Sequence, residues 1–314
     1  MLEHDDKNFT WSVNDSLDSV AIVGYRGDKK EVVLPTELGD LPVRKIVGKV
    51  FDNNRSLRRV VIPEGVQEIS GSVFSCSYIE QVDLPASMTN IDVVSLSACQ
   101  KMKNINVDPA NPVYFSKDGV LFKREPDIER LLRYPAAREG RYDIPSGTTH
   151  ISPNAFELSN IENVTLPETL VTIGSSAFAW CEKLQSVSIP DSVRRMGAYA
   201  FLRCSALTDA KLSKNVRIVP SFAFAHDLSL SNVTIPEGVE KIDLSAFMNC
   251  RSLEDIAIPQ SVRMIASLAF MNCVSLKNVE LPKEHCSISV SSFSNTPRED
   301  LNGKAPEGGV RDER

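Results

Sequence analysis

Apolar residues recur down this chain in one short pattern. A Leu-x-x-Ile-x-Ile-Pro run is followed by a Val and an Ile three residues apart, then Ala-Phe, then Cys. The clearest copy is Leu253, Ile256, Ile258 and Pro259, followed by Val262, Ile265, Ala269-Phe270 and Cys273. Twenty-three residues earlier stand Ile235-Pro236, Val239, Ile242, Ala246-Phe247 and Cys250. Self-similarity at a period in the twenties is the signature of a solenoid, whose units bury their apolar faces only by stacking on one another. Leu253-x-x-Ile256-x-Ile258 ends with the alternation of a strand, and the Pro after it cannot donate to a ladder. Val262 to Ile265 reads as a second short strand or tight bend, and Ala269-Phe270 as a turn or helical half-turn leading back to Leu276.

The residue after each first strand marks the period: Pro35, Pro63, Pro85, Asp108, Pro145, Pro167, Pro190, Ser213, Pro236, Pro259 and Pro282. Markers from Pro167 onward are 23 apart. The intervals ending at Pro85 and Pro167 are one residue shorter, with the deletions read between Phe74 and Cys76 and between Phe156 and Leu158. The interval from Pro35 to Pro63 carries five extra residues around Leu38–Pro42, and that from Asp108 to Pro145 spans 37. Helical-pair repeats need about 33 residues or more, so units this short point to a leucine-rich-repeat-like solenoid. The expected fold is mostly short parallel β-strands and turns, in about ten coils of 22–23 residues. Nine of the 13 phenylalanines share one register, at Phe51, Phe74, Phe156, Phe178, Phe201, Phe224, Phe247, Phe270 and Phe293, with Leu96 substituting once. Stacked coils should place these rings roughly 5 Å apart as an internal spine.

Residues 1–30 read as an N-terminal capping hairpin, from the alternating runs Phe9–Val13 and Ser19–Tyr25 around Asn14-Asp15. The solenoid then covers 31–296, with an inserted hairpin at about 110–143 in which Val120–Phe122 pairs with Leu131–Tyr134 and projects from the stack. Gly, Pro and charged residues make 297–314 a disordered tail or linker by composition.

Composition narrows the chemistry. Apolar residues make up 42% and charged ones 24%, as in ordinary folded domains. The net charge is −6 and no Lys/Arg run exceeds Arg58-Arg59 or Arg194-Arg195, so the sequence carries no footprint for nucleic acid. Met1–Asp6 has no basic region leading into an apolar stretch, so it is not read as a signal peptide. No apolar run approaches the ~20 residues that cross a bilayer, so membrane insertion is not expected. The compartment stays open.

Seven cysteines invite a redox or metal reading. Cys76, Cys99, Cys181, Cys204, Cys250 and Cys273 are assigned one register, which Asn54, Leu158, Asp227 and Thr296 occupy in other coils. Small polar or thiol side chains there can bond orphan backbone groups inside a turn. The chain has no C-x₂-C pair for a metal. In-register side chains keep their Cβ atoms near 5 Å apart, beyond the ~3.8 Å of a disulfide. The thiols are therefore read as structural and free. Cys286 beside His285 is too little for a catalytic dyad, and the four histidines are scattered. Neither a Gly-rich phosphate loop nor a G-x-S-x-G elbow is present. No enzyme, cofactor or metal is expected.

At this point the residues resemble the BspA-like leucine-rich repeats, also called the Treponema pallidum type. Cys250-x-x-Leu253-x-x-Ile256-x-Ile258-Pro259-x-x-Val262-x-x-Ile265-x-x-x-Ala269-Phe270 is similar to that repeat throughout. Asn111-Pro112 through Phe122, with Leu131 to Pro135, resembles the family's inserted hairpin. The likeness spans roughly 10–296 and departs at Leu96, Leu158, Ser213 and Asp227. It implies a cell-surface or secreted binding protein, often bacterial, that adheres to partner proteins, and it brings no catalytic residues.

Two surfaces are left for binding. Residues alternating with the apolar ones of the first strand form outward rows that include Asn163, Asp209, Asn232 and Asp255. These rows are small and polar, and can equally be solvated sheet. The second surface is the turn after the Phe, where Ala179, Leu202, Ala225, Met248 and Met271 form a row with Trp180 at one end. That row is either an exposed partner ridge or a set of side chains tucked between coils. A protein partner is expected for an adhesion or interaction module. The other reading is a structural module of a larger surface assembly that recognises a glycan through its Asn, Ser and Thr side chains.

Overall fold

A computed structural model describes residues 6–283 and 285–304. The chain divides into two compact units, Met1–Arg138 and Glu139–Arg314. In both, each repeat contributes two short strands to two parallel ladders. The first ladder of the earlier unit runs Glu31–Val33, Arg59–Val61, Gln81–Leu84, Asn104–Val107, and the second runs Val20–Tyr25, Leu41–Val47, Glu68–Ser70, Asn90–Ile91. In the later unit Ser186–Ser188, Asp209–Lys211 and Asn232–Thr234 pair in the first ladder, and Ile218–Val219, Lys241–Ile242, Met264–Ile265 and Ser287–Ile288 in the second. The fold is a parallel β-solenoid of the leucine-rich-repeat kind. Among the described residues helix is limited to the single 3₁₀ turns Asp6–Asn8, Val93–Leu96 and Glu299–Leu301.

Register equals repeat length. Val187 lies beside Ala210, Ala210 beside Val233, and Ile242 beside Ile265. Each inward residue therefore lands on its own counterpart, and the phenylalanines stack. Phe178, Phe201, Phe224, Phe247 and Phe270 follow one another at ring centroids 5.1, 5.3, 5.5 and 5.3 Å apart, within 7° of parallel. All of them are fully buried. The residue before the Phe is buried as well, Ala in most coils and Val at Val50 and Val73.

The turn around each Phe is not a helical half-turn. Residues two before and two after the ring adopt positive φ: 62° at Tyr199, 57° at Phe222, 62° at Trp180, 60° at Arg203 and 65° at His226. An L-residue in that region costs about 1–2 kcal/mol. Hydrogen bonds to the next coil hold it there. The Trp180 N–H donates to the Leu202 carbonyl at 2.7 Å, Phe178 to Ala200 at 2.7 Å, and Tyr199 to Ser221 at 3.0 Å. Alternate amides of the turn thus point along the stack, and the following coil satisfies them.

The extra residues at 38–42 form a small hairpin between Glu37–Leu38 and Leu41–Val47. Its central Gly39 and Asp40 are both at φ 60°, as a primed hairpin turn requires. Phe9–Val13 pairs antiparallel with Val20–Tyr25, which lies parallel to Leu41–Val47. The insertion is a three-stranded antiparallel meander, Tyr114–Lys117, Val120–Glu125 and Ile128–Arg133, with Phe122 opposite Leu131. It does not project. The Gly119 carbonyl accepts from Ile105 N–H at 2.8 Å, Ser116 Oγ from Val107 N–H at 3.2 Å, and Tyr114 Oη from Ile91 N–H at 3.0 Å. The insertion thereby closes the open edge of both ladders of its unit. Buried Asn111 locks it, donating to the Pro85 and Met88 carbonyls and accepting from Val113 and Tyr114.

The linker expected from residue 297 does not begin there. Leu301 is buried, and Asn302 Oδ1 accepts the Phe293 N–H at 2.7 Å. Glu299 accepts the Asn295 N–H. These are the two amides that a following coil would otherwise satisfy, so 298–302 caps the last turn. Residues 305–314 lie outside the described residues.

Phe247→Ala removes the middle of the ring column, and is expected to cost about 3–5 kcal/mol and to split or lower the melting transition. An unchanged melting curve would show that the column does not couple the coils.

Candidate functional site

The chemistry-bearing side chains sit mostly inside the stack. Cys99, Cys181, Cys204, Cys250 and Cys273 occupy one buried register, three residues after the ladder ring. Each thiol donates to the carbonyl of the ladder Phe one coil back: Cys181 to Phe156, Cys204 to Phe178, Cys250 to Phe224 and Cys273 to Phe247, all at 3.1–3.2 Å. Burial pushes the Cys99 thiol up to about 11, and holds those of Cys204 and Cys250 well above the ordinary thiol range. These are neither nucleophiles nor ligands. Among the described residues no group of His, Cys, Asp and Glu side chains converges as a metal site.

Two register assignments change. Ser77 and Ser159, not Cys76 and Leu158, fill the inward slot: their N–H groups bond the Phe74 and Phe156 carbonyls at 3.1 and 3.0 Å as the cysteines' do. Cys76 and Leu158 are instead the positive-φ residues of their turns, and Cys76 is exposed. The missing residue in each coil therefore falls after the Ser, where the turn tolerates shortening, and not beside the Phe. At Asn54 the expectation holds in detail, since its Oδ1 accepts from Ser56 and Leu57 N–H groups inside the turn.

Asp227 is the exception in this column. It is wholly buried, its Oδ1 accepts the Cys204 N–H at 2.7 Å, and its Oδ2 has no hydrogen-bond partner. Burial raises its pKa well above the ordinary value, against the pull of the Cys204 N–H. The folded state then holds a proton that the unfolded chain releases near pH 4, so this residue lowers stability as pH rises above about 4. Asp227→Asn should flatten that slope and add about 1–3 kcal/mol at pH 7, read by denaturant unfolding at pH 5 and pH 8. Equal slopes would show that the carboxyl is paired. A polar thiol reagent should label Cys76 first in the native protein and all seven thiols in denaturant; several fast native thiols would contradict the buried column.

The first-ladder rows are in the open. Asp209, Asn232 and Asp255 are exposed and Asn163 is half-buried. Asp209 and Asn232 share a groove of about 250 Å³ with Ser186, Ser188, Lys211 and Thr234. The Asp209 carboxylate accepts from Thr208 Oγ1 at 2.6 Å and Asn232 Nδ2 at 2.9 Å, and both bonds hold its pKa down. Asn278 donates in the same way to Asp255. Carboxylate and amide thus hydrogen-bond one coil apart, and the groove floor carries hydroxyl and amide groups together with the Asp209 carboxylate and the Lys211 ammonium. In the Met1–Arg138 unit, a groove of about 420 Å³ lies over Val61, Glu64, Asp83, Pro85, Asn106 and Asp108.

The turn row is tucked in. Ala179 and Ala225 are buried, while Leu202, Met248 and Met271 are half-buried. The Arg203 guanidinium lies 4.3 Å from the Trp180 ring centroid, covering one face of the ring. The positive-φ residues of this edge run from buried Asn249 through half-buried Asn272 to exposed Asn295, where Asn295 donates to Asn272 at 2.6 Å and Asn272 to Asn249 at 3.0 Å in an amide ladder. What the sequence reading passed over is the outer row of the second ladder. Its large residues Ile218 and Met264 are exposed beside several arginines. A residue-by-residue alignment of the coils at period 23 is the signal that would have found it.

The solved structure of a leucine-rich repeat protein from Eubacterium ventriosum is 20% identical, with 96% of this chain and 95% of that chain covered at a TM-score of 0.78. A leucine rich cell surface protein from Faecalibacterium prausnitzii is 24% identical, covering 89% and 94%, at 0.51. Both are likenesses of fold. No match was found among curated proteins. Among the described residues no helix is long and apolar enough to cross a membrane. The family model of the BspA type leucine rich repeat region matches in 6 copies over residues 31–118, 141–253 and 240–304. With the stacked rings, the thiol column and the two parallel ladders all carried by that repeat, the chain belongs to the BspA-type leucine-rich repeat family.

Proposed function

We propose that this chain is a non-enzymatic protein-interaction module that serves adhesion at a cell surface. The observation that carries the reading is how the repeat divides its residues. Rings and the buried thiols are committed to the stack, while successive coils set equivalent outward residues side by side in continuous rows. Such a surface offers contact area and few reacting groups, which suits recognition of another macromolecule. Family membership supports the interaction role. The similar Faecalibacterium prausnitzii protein is described as a cell surface protein, which suits a surface location here as well.

A second reading rests on the groove over Ser186, Ser188, Asn232 and Thr234, whose hydroxyl and amide groups suit a glycan. One paired experiment separates the two. The purified chain is applied to a glycan array and, by biolayer interferometry, to a panel of purified extracellular-matrix and surface proteins. Saturable binding to a protein with a silent array supports the interaction module. Array hits with a silent protein panel would overturn it.

A further inference from the structure

We propose that the docking surface is the outer face of the second ladder in the Glu139–Arg314 unit, and that it receives an acidic, extended segment of a partner protein carrying aromatic or aliphatic side chains. This rests on the interaction-module reading and adds which face is used and what chemistry it selects.

The face is built by register. Arg195, Ile218, Lys241 and Met264 are successive occupants of one outward position. Ile218 lies beside Lys241 and Lys241 beside Met264 in the ladder, while Val219, Ile242 and Ile265 point inward and are buried. The position just before them carries Arg194, Arg217, Glu240 and Arg263, all exposed. Arg217 pairs with Glu240 at 2.6 Å and Lys241 with Asp243 at 3.1 Å. Arg194 and Arg263 form no ion pair among the described residues. Five cations (Arg194, Arg195, Arg217, Lys241, Arg263) against two anions (Glu240, Asp243) leave this face at +3, on a chain whose formal net charge is −6. Opposite charge is therefore the complement it presents.

Apolar anchors lie within the same face. Ile218 is 45% exposed and Met264 41%. Tyr199, 39% exposed, stacks on Phe222 with centroids 4.9 Å apart and planes 10° from parallel. The pair follows the strand row by four residues in its own coils, Tyr199 after Arg195 and Phe222 after Ile218. Aromatic residues and Arg are the usual anchors of interfaces, whereas the first-ladder groove over Ser186, Ser188, Asp209, Lys211, Asn232 and Thr234 holds no aromatic or Arg side chain. Three steps between coils, from Arg195 to Met264, cover about 14 Å, the length of four or five extended residues. Partner carboxylates would meet Arg194 and Arg263, whose planar guanidinium groups can take them bidentately.

The test uses the full chain and two random copolymers as probes, poly(Glu,Tyr) and poly(Lys,Tyr), read by fluorescence anisotropy at two salt concentrations. The acidic copolymer should bind in a salt-sensitive manner and the basic one should not. Arg194→Glu with Arg263→Glu should weaken binding about tenfold or more. Tyr199→Ser with Phe222→Ser should weaken it several-fold, and Asp255→Ala on the first ladder should leave it unchanged. Should the charge-reversed chain lose its melting transition, Arg194→Gln with Arg263→Gln replaces it. Equal binding of the two copolymers, or binding indifferent to both double variants, overturns the proposal. So does tighter, Arg194-dependent binding of heparin or RNA, or a concentration-dependent dimer abolished by the arginine variants. If a protein found with the panel described above still binds the arginine variants, the face is wrong and the module reading stands. A silent panel counts against the module reading itself, and the copolymers still decide the face.

Discussion

The structure depends on one constraint: each coil must lie on the next in a register equal to the repeat length. Half of the amides in every Ala-Phe turn point along the stack, so a coil cannot satisfy its own backbone and borrows carbonyls from its neighbour. The positive φ values of Trp180, Arg203, His226 and Tyr199 persist for the same reason. Burial of the ring column supplies the drive, and the hydrogen bonds supply the register. A shift of one residue would lose both at once.

That dependence explains how the ends and the irregular coils are built. Where a neighbour is missing, something takes its place. Asn302 and Glu299 accept the amides of the last coil, and Gly119, Ser116 and Tyr114 accept those at the end of the first unit's ladders. Deletions are absorbed after Ser77 and Ser159, away from the ring and its turn. Asp227 is the one inward carboxyl of the thiol column. It stands where neighbouring coils have a thiol that donates to the Phe carbonyl 26 residues back, and its Oδ2 is left without a partner.

Function then belongs to the residues that the stack does not use. The two ladders differ in what they leave outside. The first shows Ser, Asn and Thr with carboxylates that accept from amides one coil along, and the second in the Glu139–Arg314 unit shows arginines, Ile218, Met264 and the Tyr199–Phe222 stack. One solenoid can therefore carry two outer faces of different chemistry without any change to its core.

The period, the two strands per coil, the ring column and the opening hairpin were legible in the chain, because each is a local pattern repeated until it leaves one reading. Asn54 was legible too, since an amide at a tight turn has few other uses. Several features were not. Cys76 and Leu158 were misassigned because a one-residue deletion can be placed at several points in a sequence, and only the backbone hydrogen bonds choose one. The tucking of Leu202, Met248 and Met271 depends on side-chain direction in a turn with positive φ, which residue type alone does not reveal. The insertion packs down because Asn111 and Gly119 meet carbonyls and amides from earlier coils. The basic face was hidden most completely: Arg194, Arg217 and Arg263 are far apart along the chain, and form one surface only because a 23-residue winding sets them in one row. Sequence by itself determined what lies inside, since burial is enforced at every repeat; tertiary structure decided what lies together outside, since no repeat enforces it.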